Sequence, residues 1–456
     1  MTGIFGQPRS SATALPRAGP RAFTALLLAF PFLVLFSPRI PLLVTHARID
    51  ELLVAAWLPV ALRHYGRPTS DAIRRRRSPY FLAFLSIFVV FVIGLVLGDG
   101  AERWSQPNLK MVSRPLFVLI DILVLRYWIH RSQCAAVTAA SALVSAVAVA
   151  GGLGYLALST PALAAGLTSV YASALENVND AYRFDMSRRA MSVFAGYDQA
   201  SVTYAAGALV SLALFLDART FRARALSSAA GLWLIVSIVT SARTGFVSLV
   251  LGGMTLLAMR RGGRAVVAAC AAACIGALAY VVVPSIIPNE ATLEHFADIK
   301  SLIDVSSPLP FWERSEGVNA LIESQVIGIE YPSGMDCLLG RGDTGMYISD
   351  SAYVTIYVTY GLVGVAVIAY ALFAIARQAS RTGRSFRAAV GSPRASVSSM
   401  LPAMVALFAV ASAKGGLYLL TYKTGELFAV LLAYCVVEAE GVPLPKARDG
   451  AFVIGA

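Results

Sequence analysis

An all-α polytopic membrane protein, with about twelve transmembrane helices and two long extracytoplasmic loops carrying short helices, is the fold class this sequence predicts. Three observations predict it. Of 456 residues, 57% are apolar and only 14% charged, with a mean hydropathy of +0.69, a composition suited to lipid that excludes a soluble enzyme. Apolar runs of about twenty residues, the length that spans a bilayer, recur along the chain. Lys and Arg gather in short segments between alternate runs, so the +12 charge and pI near 9.6 read as membrane topology and not as nucleic-acid binding.

The first apolar run, 23–36, follows a basic leader with Arg9, Arg17 and Arg21 and shows no small-residue cleavage site before Pro38, so it reads as a retained span. Further runs lie at 48–62, 79–98, 114–130, 134–157, 200–216, 226–241, 244–259, 265–287, 351–376, 399–413 and 416–437. With the N-terminus cytoplasmic, alternate connections carry Arg63, Arg67 and Arg74 to Arg77, then Arg126 and Arg131, then Arg219, Arg222 and Arg224, then Arg260, Arg261 and Arg264. Arg377, Arg381, Arg384, Arg387, Arg394, Lys446 and Arg448 continue the series, which puts both termini inside. Residues 1–456 then form a single integral membrane domain. Its long outer loops are the third, 158–199, and the fifth, 288–350. In the third loop, 161–175 has apolar residues near helical spacing and reads equally as an interfacial amphipathic helix or as a packing helix.

Five scattered cysteines form no C-x-x-C or Cys/His set, so neither a disulfide framework nor a metal site is expected. The chain lacks a Walker A, a G-x-G-x-x-G after a strand and a D-x-D, and its inner connections are short, so no cofactor is expected. The charged chemistry sits outside. Loop three ends with Arg183, Arg188, Arg189 and Gly196, against the inside bias for cations. The pentapeptide Ser241-Ala-Arg243-Thr-Gly245 fills a short outer turn, where an arginine between apolar spans needs a partner or a watery cavity. Loop five carries Arg314 in the first turn of an expected amphipathic helix reaching Ile327, then Gly340-Arg341-Gly342, whose glycines allow a tight anion-binding backbone. It closes on Ser349-Asp350-Ser351-Ala-Tyr353, where Asp350 can act as a base, as an N-cap for the next span, or as both.

In that order these segments, roughly residues 180–375, resemble the bacterial O-antigen and exopolysaccharide polymerase and O-antigen ligase superfamily. Its members are integral membrane glycosyltransferases acting on polyprenyl-diphosphate-linked sugars. Ligases of the family typically place a histidine after the Gly-rich segment, where this chain has Ser349, Asp350 and Ser351, so the resemblance favours the polymerase branch. It implies polyprenyl-diphosphate-linked oligosaccharide as substrate, a flippase and a chain-length regulator as partners, no nucleic acid, and a periplasm-facing site. It leaves open which of Arg183, Arg188 and Arg189 contacts substrate.

The residue types suit that reaction on their own terms. A diphosphate leaves as a stable anion, so fixed cations rather than a metal or a general acid answer the developing charge, and arginine forks fit phosphate oxygens. Arg243 and Arg314 are the expected clamp and Asp350 the base, giving inversion by single displacement. Arg188, Arg189, Arg341, Gly340, Gly342 and Tyr353 are the expected substrate-binding group. Three rivals stand beside this reading. One is an O-antigen ligase. Another is a polyprenyl-monophosphate-sugar transferase, since Asp50-Glu51 lies in the first outer loop. The third is a transporter or flippase, for which Asp121 and Glu426 are the intramembrane charges to test.

Overall fold

The computed structural model describes residues 19–41, 46–65, 79–98, 104, 106–132, 134–171, 190–194, 196–261, 336–340, 351–390, 397–414, 416–421 and 423–440. Each apolar run except 265–287, which lies outside these residues, overlaps a helix, though the last, 416–437, does so only from Thr424. In order they are α1 (Pro20–Phe36), α2 (Ile49–Tyr65), α3 (Pro79–Leu97), α4 (Gln106–Arg131), α5 (Ala136–Ser159), α6 (Pro161–Tyr171), α7 (Tyr197–Asp217), α8 (Phe221–Val239) and α9 (Arg243–Arg261). The short α10 (Asp336–Leu339) precedes α11 (Ala352–Val390), α12 (Leu401–Ala411) and α13 (Thr424–Ala439). One feature departs from the all-α expectation: Arg39–Pro41 (β1) pairs antiparallel with His46–Arg48 (β2), Arg39 opposite Arg48. Pro38 and Pro41 cannot continue α1, and the chain turns back as a small hairpin instead.

Pro79–Leu97, Ala136–Ser159, Tyr197–Asp217, Phe221–Val239 and Thr355–Arg384 within α11 are long and apolar enough to cross a membrane, and Pro20–Phe36, Thr244–Arg260 and Leu401–Ala411 are shorter apolar helices. The face of α3 bearing Leu82, Leu85, Val89, Ile93 and Val96 is exposed, as expected of a helix that meets lipid along one side. Inside, small residues bring helices together. A side chain at Gly207 of α7 would run into Val147 of α5, and one at Gly151 of α5 into Ser237 of α8. On the other flank, Phe23, Phe30, Trp57, Tyr127 and Trp128 join α1, α2 and α4 through edge-to-face contacts.

Polar contacts mark two ends of this body. At one, Arg126 and His130 of α4 both reach Glu440, at 2.6 and 3.1 Å, with Arg126 also over the Tyr65 ring. At the same end Arg260 bonds Asp217 and Ser399, and the Glu438 carboxylate accepts the N–H groups of Val397 and Ser398. These are the basic segments that the sequence assigns to the cytoplasm. The opposite end holds the hairpin, the α8–α9 turn and the start of α13.

Two expectations change in detail. The run 416–437 reads as continuous, but residues 416–421 form turns, with Leu420 N–H bonded to Leu417 O and Gly425 N–H to Thr421 O, and the helix begins only at Thr424. Non-helical backbone at that depth is tolerated because protein surrounds it: Tyr418, Leu419 and Leu420 are buried. Glu426 is therefore not in mid-helix but in the first turn. The helix expected in loop three is described from Pro161 to Tyr171, and 172–175 lie outside the described residues. Its Leu163 and Leu167 pack on Ala157 and Met191, and its Tyr171 donates to Phe36 O at 3.0 Å, as a packing helix does.

Candidate functional site

Arg188, Arg189, Arg314, Arg341, Gly342 and Asp350 lie outside the described residues, as does the expected helix at 314–327, and of Arg243 only the backbone is described, as the first residue of α9. What the structure brings together are the segments flanking them. Ala190, the residue after Arg189, is fully buried; its N–H bonds Thr240 O at 3.0 Å and its carbonyl accepts Ser241 Oγ at 2.6 Å. Tyr204 of α7 donates to the same carbonyl. Thr244 donates to Asp198 at 2.9 Å, and Gly245 N–H bonds Ser201 Oγ at 2.9 Å, so close that a Cβ on Gly245 would stand 2.4 Å from the Ser201 carbonyl oxygen. Ser241, Thr244 and Gly245 of the pentapeptide thus each hold the α8–α9 turn against α7 and residue 190, with Arg243 between them.

Gly340 and Tyr353 are both placed by packing. Gly340 (φ 73°) meets the kink of α11, where Gly361 (φ 63°) breaks the helix, and each glycine faces the other segment's backbone. A Cβ on Gly340 would stand 2.3 Å from the Thr359 carbonyl, and one on Gly361 2.3 Å from that of Leu338. The positive φ alone costs a non-glycine residue about 1–3 kcal/mol, and the overlap adds to it. Gly340→Ala or Gly361→Ala is therefore expected to lower the thermal unfolding midpoint of the purified protein by several degrees or more; an unchanged midpoint would refute this close approach. The Tyr353 hydroxyl donates to Ala409 O at 2.7 Å, pinning α11 to α12.

The densest charge is a buried cluster at the hairpin end. Arg48, 3% exposed, pairs with Asp50 at 2.9 Å, with Glu51 at 3.4 Å and with Glu426, while Arg114 of α4 lies 4.0 Å from Glu426. Local sequence builds the cluster. Arg48 precedes α2 and Lys423 precedes α13, and each is followed three residues later by a glutamate that accepts the cap residue's own N–H, at 3.0 Å for Glu51 and 2.9 Å for Glu426. Both helices therefore start with half of a capping box: the glutamate accepts the N–H of the residue before the helix, while Arg48 and Lys423, being cations, return no such bond and direct their side chains elsewhere. About 21 Å of helix separates Glu426 from Glu440, at the other end of the body.

Asp121 lies one to two turns further along α4, 8% exposed, with no hydrogen bond or ion pair, and its electrostatic neighbours are Glu426, Asp50, Arg48 and Glu51. Asp50 and Glu426, read from the sequence as separate features, thus meet in one cluster with Asp121 nearby, and Arg48, Arg114 and Lys423, which that reading passed over, bind Asp50 and Glu426 together. The legible signal was the spacing Arg-x-x-Glu and Lys-x-x-Glu just before an apolar run. No protein-family model matches the chain, and no curated protein matches it either.

Proposed function

We propose that the protein is a polysaccharide polymerase, an integral membrane glycosyltransferase that joins polyprenyl-diphosphate-linked oligosaccharide repeat units on the outer face of the bacterial inner membrane. The hairpin end of the body is then periplasmic and the Glu440 end cytoplasmic, as the distribution of arginines requires. The observation that carries the reading is the joint at Ala190. Its bonds to Thr240 and Ser241 tie the segment following Arg188-Arg189 to the turn that opens on Arg243. Two arginine-bearing segments far apart in sequence are thereby anchored to one rigid point, which is what a fixed cationic clamp for a diphosphate requires.

In the reaction, the acceptor hydroxyl oxygen forms a bond to the anomeric carbon of the donor while the bond from that carbon to the diphosphate oxygen breaks. The polyprenyl diphosphate leaves with the electron pair, its charge met by Arg243 and Arg314 with Arg188 or Arg189 and Arg341 beside them, and the hydroxyl proton passes to Asp350. Incubating the purified protein with a synthetic lipid-diphosphate-linked repeat unit, with chelator and without nucleotide sugar, tests this: a polymer ladder is the expected result, and no product from the native repeat unit would overturn it.

Burial of Asp50 at 2% exposure, locked to Arg48, speaks against an acidic pair free to act in a monophosphate-sugar transferase. One observation favours a second reading. An unpartnered, buried Asp121 beside a charge cluster is what an ion-coupled carrier uses. Asp121→Asn separates the two: polymer formation is expected to survive it, whereas loss of transbilayer movement of the lipid-linked sugar with no polymerase activity in the wild type would favour the carrier.

A further inference from the structure

Among the described residues only Ser192 (φ 56°) and Lys423 (φ 63°) are non-glycine residues with left-handed backbone, and one hydrogen bond joins their neighbourhoods. The Lys423 ammonium, in a side chain 8% exposed, donates to Val193 O, next to Ser192, and to Leu35 O at 2.8 Å. Tyr171 lies over it at 4.6 Å and Phe194 at 5.9 Å. The Lys423 backbone N–H meanwhile holds Glu426, and through it Arg48.

One buried cation therefore links the last turn of α1, the end of loop three, α6 and the ion-pair cluster beneath. A helix start alone needs none of this. Glycine would take the positive φ without strain, and an apolar side chain would fill the space without desolvating an ammonium. Leu35 lies in the last turn of α1, where carbonyls lack helical partners, and Val193 lies in an irregular segment, so each carbonyl gains a donor from outside its own element. Strained backbone that the surroundings hold in place marks sites where position matters.

We infer that Lys423 is a positioning residue: it fixes residues 190–194, which follow Arg188 and Arg189 in the chain, on the body. The consequence for catalysis rests on the polymerase reading; the anchoring itself does not. With Lys423 removed, Ala190 keeps its bonds to Thr240 and Ser241, but Val193 loses its hold on α1 and α13, so residues 191–194 move relative to the α8–α9 turn.

Hydrogen–deuterium exchange on the full-length protein in lipid nanodiscs tests the anchoring. In Lys423→Met the amide of Phe194, bonded only to Met191 O, is expected to exchange about ten- to a hundred-fold faster, as befits loss of charged hydrogen bonds beside it, while Ala190, still bonded to Thr240 O, and α7 to α9 keep their protection. On the same samples kcat per folded molecule in the polymer assay is expected to fall about ten-fold or more. A purely structural role would lower the yield of folded protein and leave kcat per folded molecule unchanged, and that result, or unchanged exchange at Phe194, overturns the inference. Should Lys423→Met not fold, Tyr171→Leu, which removes the ring over the ammonium, is expected to speed exchange at Phe194 by a few-fold; no change there also overturns it. A wild-type protein that makes no polymer defeats the polymerase reading, and the exchange arm still decides the anchoring.

Discussion

Glu426→Gln is expected to destabilise the folded protein by about 3–5 kcal/mol, the range found when one partner of a buried ion pair is removed. Glu426 is the common acceptor of the cluster: Arg48, Arg114 and the backbone of Lys423 all converge on it. The amide keeps the shape and the capping bond, so the loss isolates the charge. Arg48 would retain Asp50 and Glu51, but Arg114 would lose Glu426 at a depth where water does not replace a carboxylate. The replacement of Arg48, Asp50, Arg114 and Glu426 together by leucine is expected to recover much of that loss, because a buried ion pair is often no more stabilising than a packed apolar set. Thermal unfolding of wild type, Glu426→Gln and the combined leucine variant, purified in one detergent, gives the comparison. A Glu426→Gln midpoint equal to wild type would show that the cluster is not what holds α2, α4 and α13 together.

Arg314→Ala is expected to lower kcat for polymerisation by about 10²–10³-fold, the typical effect of removing one preorganised donor to developing charge. Arg243→Ala is expected to act alike. Arg314→Lys should be nearly as poor as alanine if the clamp is bidentate, since an ammonium is a point charge and cannot reproduce the guanidinium fork. The readout is polymer length and rate at matched amounts of membrane-inserted protein. Wild-type polymer length in Arg314→Ala, or full activity in Arg314→Lys, would remove Arg314 from the clamp.

Much of the helical frame could be read from hydropathy, because twenty-residue apolar runs have few alternatives to a helix in lipid. The run at 416–437 misled for a physical reason: Leu417, Leu419 and Leu420 carry the hydropathy of a span but make a buried turn, and only the positive φ at Lys423 shows where the helix begins. The helices of the buried cluster, α2, α4 and α13, do not meet the length and composition of a crossing helix, and their charges make apolar runs less continuous. Single charges such as Asp121 and Glu426 could be seen in the sequence, but their meeting could not, since it depends on how α4 and α13 pack. The S-A-R-T-G turn was legible as a special place for an arginine. That its serine, threonine and glycine serve to clamp the turn onto α7 and Ala190 needed the fold, because Asp198, Ser201 and residue 190 are some forty to fifty positions away.

The central claim is the bond that breaks in the donor. The most direct measurement is the lipid released when the purified protein, with chelator present, extends a lipid-diphosphate-linked repeat unit, counted by mass spectrometry against the number of new glycosidic bonds. One polyprenyl diphosphate per bond is the result this account predicts. Release of polyprenyl monophosphate, or bond-free movement of intact lipid-linked oligosaccharide across the bilayer, would contradict it.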